Sequence, residues 1–189
     1  WVQYVNSKFD IFMSNDIMRP IISQEKSSFN FREIMDSKKI FLVNLAKGRL
    51  GDINANLLGL IIIGKFSQAA LSRVDQPDIS KRPDFYLYID EFQNVTTPAI
   101  ASILSEARKY RLSLNVAHQY LAQLPEDIKG AVFGNVGSMA VFRISPEDAK
   151  YLESKFAPTF TANDIMKIDN YHAYINMLAG GSPKKPFDI

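Results

Sequence analysis

Two adjacent carboxylates, Asp90 and Glu91, directly follow the apolar run Phe85–Ile89. Charged groups at the exit of a buried strand are costly unless water or a ligand reaches them. An Asp in this place can orient Mg²⁺, usually through water, and the neighbouring Glu can polarise a hydrolytic water, which is the chemistry of a Walker B element. The same acids could instead cap the next helix and favour its positive end. Because the motif is short, both interpretations stay open here.

Three further polar residues could work with this pair. Gln119 ends the next strand and can hydrogen-bond a γ-phosphate or an attacking water, or else satisfy backbone groups of the following turn. Arg108 flanks the apolar face of a helix, so it is either a snorkelling surface residue or a finger that reaches the phosphates of a neighbouring subunit. Arg143, at the end of a later strand, is a second candidate for a phosphate or inter-subunit contact.

A pattern at residues 59–66 imitates a phosphate-binding loop. Gly59, Gly64 and Lys65 fit G-x-x-x-x-G-K, but Phe66 stands where the motif needs Ser or Thr. The four intervening residues are Leu and three Ile, which disfavour a flexible turn, and the segment lies inside a helical pattern. We therefore predict a helix and reject this P-loop, so the chain has a candidate Walker B and no Walker A.

Composition excludes several classes of protein. The 189 residues are 47% hydrophobic and 22% charged, which is ordinary for one globular domain, and the net charge of +2 does not by itself indicate a nucleic-acid binder. No cysteine is present, which excludes disulfides, thiolate metal sites and Cys nucleophiles. The unbroken apolar runs, such as residues 60–63, are far shorter than the ~20 residues of a membrane span, so none is predicted.

Strands and helices alternate along most of the chain, which predicts an α/β domain with a mostly parallel sheet. In such a sheet, ligands bind beyond the carboxyl ends of the strands, where Asp90 and Gln119 fall. The predicted strands are residues 39–45, 85–89, 112–117, 137–142 and 171–178. The predicted helices are residues 2–18, 31–36, 52–73, 98–110, 125–133 and 146–156, and residues 74–84 are predicted to form an exposed loop.

The order of these motifs resembles the type IV secretion coupling proteins, which belong to the FtsK–HerA group of RecA-like DNA-pumping ATPases. The similarity is carried by residues 27–34, 42–48, 85–94, 103–110, 114–124, 141–149 and 170–187. It implies an α/β, RecA-like P-loop NTPase core with a mostly parallel sheet sandwiched by helices, here lacking the Walker A strand and loop. Residues 1–38 would be a helical lead-in segment and residues 39–189 the C-terminal part of the ATPase domain.

By position, the resemblance implies roles for individual residues. Asp90 and Glu91 become the Walker B pair, with Asp90 holding Mg²⁺ through water. Gln119 becomes the sensor and Arg108 the arginine finger acting on the ATP of the adjacent protomer. The implied cofactors are ATP and Mg²⁺. The implied partners are DNA, further copies of the chain in a ring that is usually a hexamer, and secretion-system or relaxosome components. The implied location is the cytoplasm at the inner face of a bacterial membrane, reached through segments outside this chain.

The Walker A strand and loop of the family should lie upstream of Trp1, so we expect the isolated chain to bind ATP poorly and hydrolyse little.

Two other interpretations of the function remain. The alternative function is that of a non-catalytic RecA-like module for DNA or relaxosome binding or for ring assembly. An unrelated α/β hydrolase-type enzyme is disfavoured because the chain has no G-x-S-x-G elbow.

Overall fold

The computed structural model describes residues 9, 10 and 13–189. The chain divides into two compact units, one ending at Ala117 and the other running from His118 to Ile189. The helix predicted over residues 2–18 lies mostly outside the described residues. Helix α1 (Met18–Ile22) begins where the predicted helix ends and contains Pro20 in its first turn, where backbone N–H groups have no partner within the helix. The predicted boundary between residues 38 and 39 stays a prediction.

Helix α4 (Asp52–Leu71) is the longest element of the first unit and contacts α2 (Phe31–Asp36) and α3 (Lys47–Leu50). By length and composition alone, Asp52–Asp75 is apolar enough to cross a membrane, which the short apolar run did not predict. A third of its most apolar stretch is buried inside the protein, and the core helix of a globular domain passes the same test.

Five phenylalanine rings form one cluster in the first unit. Phe66 of α4 stacks on Phe85 at a centroid distance of 5.2 Å, and its other contacts include an edge-to-face approach to Phe31 at 4.8 Å. Phe29 and Phe41 pack around Phe31 at similar distances. Such pairs add about 0.5–1.5 kcal/mol each beyond their buried area, so the cluster ties α2 and α4 to the strand that follows.

Strands β1 (Phe85–Ile89) and β2 (Leu112–Val116) form a parallel pair, with Phe85 opposite Leu112 and Ile89 opposite Val116. The connection contains a 3₁₀ turn at Phe92–Val95, helix α5 (Pro98–Glu106) and a second 3₁₀ turn at Ala107–Tyr110. The prediction that helices cover both faces is wrong within the described chain, because Tyr86 is 57% and Tyr88 74% exposed. The phenolic hydroxyl lets such apolar-looking residues face water.

Residues 39–45 do not form the predicted buried strand. Ile40 is 88% and Leu42 89% exposed, while Phe41 joins the aromatic cluster. An apolar run favours a strand, but a strand also needs a neighbour whose backbone groups complete the hydrogen-bond ladder. No such neighbour flanks residues 39–45 within the described part of the chain, so this prediction was wrong.

The second unit contains antiparallel strand pairs rather than the predicted parallel ones. Strand β4 (Tyr174–Asn176) pairs with β3 (Met139–Val141) and with β7 (Phe187–Asp188), and β5 (Leu178–Ala179) forms a hairpin with β6 (Ser182–Pro183). The predicted strands 137–142 and 171–178 are therefore shortened or divided. The helices are α6 (Glu126–Asn135), α7 (Pro146–Phe156) and α8 (Ala162–Met166). Two helices separate β3 from β4, so alternation alone did not reveal the strand direction.

Candidate functional site

The acidic pair lies at the carboxyl end of β1, as predicted. Ile89 is buried and Asp90 is exposed, while Glu91 is half-buried and adopts the left-handed backbone conformation with φ 50° and ψ 45°. The Glu91 N–H donates to Asp90 Oδ1 at 2.9 Å, and the Gln93 side-chain amide donates to Glu91 Oε2. A left-handed backbone is costly for a residue with a long side chain, and such strain clusters at functional sites.

The helix-capping interpretation of these acids fits the geometry poorly. Asp90 accepts its hydrogen bond from the adjacent Glu91 rather than from the amides of the following turn. Helix α5 begins only after Thr97, beyond the intervening 3₁₀ turn. The carboxylates therefore stand at the edge of the parallel strand pair, not at the start of a long helix.

The turn after the pair is fixed from both sides. Phe92 is fully buried, and its N–H donates to the Ala117 carbonyl at 2.9 Å, while the Ala117 N–H donates to the Ile89 carbonyl at 2.9 Å. On the other side, a Cβ added at Gly59 of α4 would lie only 2.7 Å from Val95 Cγ1. The rejected P-loop pattern thus lies within a helix, as predicted, and Gly59 permits close packing against the turn. Sequence reasoning missed this role, although a glycine inside a helical pattern signals a packing constraint.

Asp90 could hold a magnesium ion only together with water and phosphate ligands, as in nucleotide-binding proteins. In the described chain, no group of three or more His, Asp or Glu residues is placed to hold a metal. Mg²⁺ commonly takes one or two protein carboxylates and completes its shell with waters and substrate phosphates. The exposed Asp90 carboxylate satisfies that requirement.

Arg108 lies at the opposite end of the strand pair from the acids. It is exposed on the 3₁₀ turn Ala107–Tyr110, which Arg111 joins to the first residue of β2. Because β1 and β2 are parallel and in register, Arg108 is at their amino ends and Asp90 at the carboxyl end of β1. A five-residue strand rises about 16 Å at ~3.3 Å per residue, so the structure does not bring these two residues together within one chain.

The remaining predicted residues belong to the second unit. Gln119 is exposed, and its meeting with the acidic pair stays a prediction. The neighbouring His118 has a lowered pKa because burial disfavours its charged form, although the Asp148 carboxylate opposes that shift. Arg143 is exposed, and its Nη2 donates to Asn170 Oδ1 at 3.0 Å. Arg143 therefore has a partner within its own unit, and its contact with a phosphate stays a prediction.

Residues 84–168, a little under half of the chain, match the protein family described as the TraM recognition site of TraD and TraG. The matched stretch contains Asp90, Glu91, Arg108, Gln119 and Arg143. With the solved structures described next, it fits the C-terminal region of a conjugative coupling protein. The resemblance stated from the sequence is therefore confirmed.

Two solved proteins share the fold. One is the genome packaging NTPase B204 from Sulfolobus turreted icosahedral virus 2. Its AMPPCP complex gives a TM-score of 0.54 at 20% identity over 83% of this chain and 70% of that chain. Its ATP-γS complex gives 0.53 at 20% identity over 84% and 71%. The bacterial conjugative coupling protein TrwBΔN70 gives 0.55 at 16% identity over 76% of this chain and only 38% of that chain. No curated protein matches this sequence significantly.

These similarities establish the fold at a coarse level. The chain is a mixed α/β protein with a small parallel sheet, and its structural neighbours are NTPase-type proteins. It spans well under half of the coupling-protein chain that it resembles. The RecA-like details of the predicted fold stay a prediction, as do the individual roles of the site residues.

Proposed function

We propose that this chain is part of an ATP-driven motor that moves DNA during conjugation or type IV secretion. The observation that carries the proposal is the acidic pair at the carboxyl end of a parallel strand pair. Asp90 is exposed there, and Glu91 is held in a strained backbone conformation. The coupling-protein match and the NTPase fold support the same conclusion.

Each acid has a distinct proposed task. Asp90 would hold Mg²⁺ through water, and a bound ion there would supply positive charge that offsets the charge on the phosphates of ATP. Glu91 is half-buried and accepts a hydrogen bond from the Gln93 side-chain amide, and its carboxylate is proposed to orient and polarise the attacking water. Gln119, two residues beyond the end of the β2 hydrogen-bond ladder at Ala117, is proposed as the sensor of the γ-phosphate.

Arg108 is proposed to act on the ATP bound by an adjacent copy of the protein. Its distance from Asp90 along the strands argues against action within one chain, and its exposure leaves the guanidinium accessible to a neighbour. A cation supplied in this way stabilises the charge that develops during phosphoryl transfer. This role requires an oligomer, for which we propose the hexameric ring of the family. Arg143 is a second candidate for a contact with phosphate or with a neighbouring subunit.

The partners and location follow from the coupling-protein resemblance. We propose that the complete protein acts on DNA in the cytoplasm at the inner face of a bacterial membrane, together with secretion-system or relaxosome components. The matched family is described by recognition of TraM, so residues 84–168 are also proposed to contain a surface for a relaxosome protein.

That description also favours the alternative function, a non-catalytic module for relaxosome or DNA binding or for ring assembly. The two functions differ in whether the acids are needed for ATP turnover. A recognition module would bind its partner without requiring the Glu91 carboxylate, whereas a motor would lose hydrolysis when that carboxylate is removed.

The deciding experiment uses the complete natural polypeptide that contains this sequence. Glu91→Gln should reduce ATP hydrolysis by about 10²–10⁴-fold, the range of a lost general base, while retaining nucleotide binding. Glu106→Gln, at an exposed position at the end of α5, is the matched control and should hydrolyse ATP normally. Normal turnover by the Glu91→Gln protein would overturn the catalytic role of Glu91. Absence of ATP hydrolysis by the unmodified natural polypeptide would overturn the motor and leave the recognition module.

A further inference from the structure

Two arginines, the buried Arg73 and the partly buried Arg82, hold the 3₁₀ turn Ala107–Tyr110 on which Arg108 lies. The last carbonyls of a short 3₁₀ helix have no partner within the helix and must be satisfied otherwise. Here Arg73 Nη1 donates to the Tyr110 carbonyl at 2.8 Å, and Arg82 Nη1 donates to the Lys109 carbonyl at 2.8 Å. Both side chains therefore attach to the backbone directly after Arg108.

Arg73 is itself rigidly placed. Its side chain is fully buried, its Nε donates to Asp36 Oδ1 at 2.9 Å, and its Nη2 lies 2.9 Å from the same oxygen. Nη1 also donates to the Pro83 carbonyl at 3.0 Å. Burial lowers the pKa of Arg73 from its usual value, and the Asp36 carboxylate opposes that shift. The guanidinium thus joins α2, the end of the 74–84 loop and the Arg108 turn.

Arg82 makes a second link from the same loop to the same turn. Its Nε and Nη2 donate to the Gln76 carbonyl at 2.9 and 2.6 Å, and its guanidinium lies 5.8 Å from the centre of the Tyr110 ring. The planar fork of arginine suits such a bridge, because several donors are fixed relative to one another. A lysine at this position has no such fork.

From this arrangement we propose that Arg82 and Arg73 are positioning residues for Arg108, an inference that rests on the proposed role of Arg108 in hydrolysis. Their guanidinium groups are directed inward to backbone carbonyls, whereas Arg108 on the turn they hold is exposed. A group that must reach phosphates on another molecule requires a fixed base, since a displacement of about 1 Å can reduce a rate by about 10²-fold.

The test compares Arg82→Ala with Lys81→Ala in the complete natural polypeptide. Lys81 is the neighbouring cation, and its nearest acid is Asp78 at 3.8 Å on the surface. Arg82→Ala should slow ATP hydrolysis by about 10–100-fold with unchanged nucleotide affinity. It should also accelerate hydrogen exchange of the Arg111 amide, which closes the turn onto Arg108. Lys81→Ala should change neither property.

Mixing subunits separates positioning from general damage. Arg82→Ala subunits mixed with Glu91→Gln subunits should regain activity, because some interfaces then combine intact acids with an intact Arg108 turn. A folding defect would not be rescued in this way. Normal hydrolysis by Arg82→Ala, or no rescue at any mixing ratio, overturns the positioning role if Arg108→Ala is inactive. Full activity of Arg108→Ala instead overturns the proposed function of Arg108 itself.

Arg73→Lys keeps the buried charge but loses the planar fork of donors. It should therefore accelerate hydrogen exchange of the Arg111 amide as Arg82→Ala does.

Discussion

Replacing Gly59 with alanine should leave the first unit less stable than replacing Gly64 in the same helix. Both residues are inside α4, where glycine costs about 1 kcal/mol relative to alanine, so each substitution gains that amount. At Gly64 nothing lies within 4 Å of the added Cβ. At Gly59 the added Cβ would lie 2.7 Å from Val95 Cγ1 and 3.3 Å from Leu45 Cδ1.

The first of those distances is too short for two carbon atoms, so α4 or the Phe92–Val95 turn must shift. Overpacking of this kind costs about 1–3 kcal/mol, and the difference in free energy of unfolding between Gly59→Ala and Gly64→Ala should equal that cost. Urea denaturation followed by circular dichroism measures the difference directly. Equal midpoints for the two variants would show that α4 does not pack against Val95 as described.

Two further predictions concern buried charge and pH. Asp36→Ala should lower the free energy of unfolding by about 2–3 kcal/mol, which is less than the ~3–5 kcal/mol of a fully buried pair because the Asp36 side chain is 36% exposed. Asp75 lies on the surface, so Asp75→Ala should cost less than about 1 kcal/mol. Equal losses for the two variants in urea denaturation would contradict this reasoning. Burial lowers the pKa of His118, so the unfolded chain takes up the proton first and stability falls as pH drops from about 6.5 through the lower folded pKa. Over that pH range the His118→Phe variant should lose less stability than the natural chain, as measured by thermal denaturation at a series of pH values. Parallel pH profiles for the two proteins would contradict this prediction.

The sequence predicted the elements around the acidic pair well, because their signals are local. The apolar run Phe85–Ile89 is a strand, and the two acids directly follow its last residue. Strand length, turn chemistry and helix caps depend on neighbouring residues, which a single sequence contains in full.

Pairing between distant segments could not be predicted in the same way. Residues 39–45 have the hydrophobicity of a strand but no ladder in the described chain, and β3 pairs with β4 in the direction opposite to the prediction. Hydrophobic periodicity shows which side chains avoid water but not which backbone groups meet. The complete burial of Arg73 was missed for the same reason, since its partners Asp36 and Tyr110 are far away in the sequence.

The left-handed backbone at Glu91 has a consequence for laboratory evolution of this protein. That conformation costs most residues about 1–2 kcal/mol, and glycine and asparagine adopt it far more readily. A library screened only for heat resistance should therefore enrich Glu91→Gly or Glu91→Asn, discarding the carboxylate. Under the proposed function, a screen that also demands DNA transfer should keep glutamate, and the opposing enrichments would measure how much stability this position gives up for the proposed catalytic role.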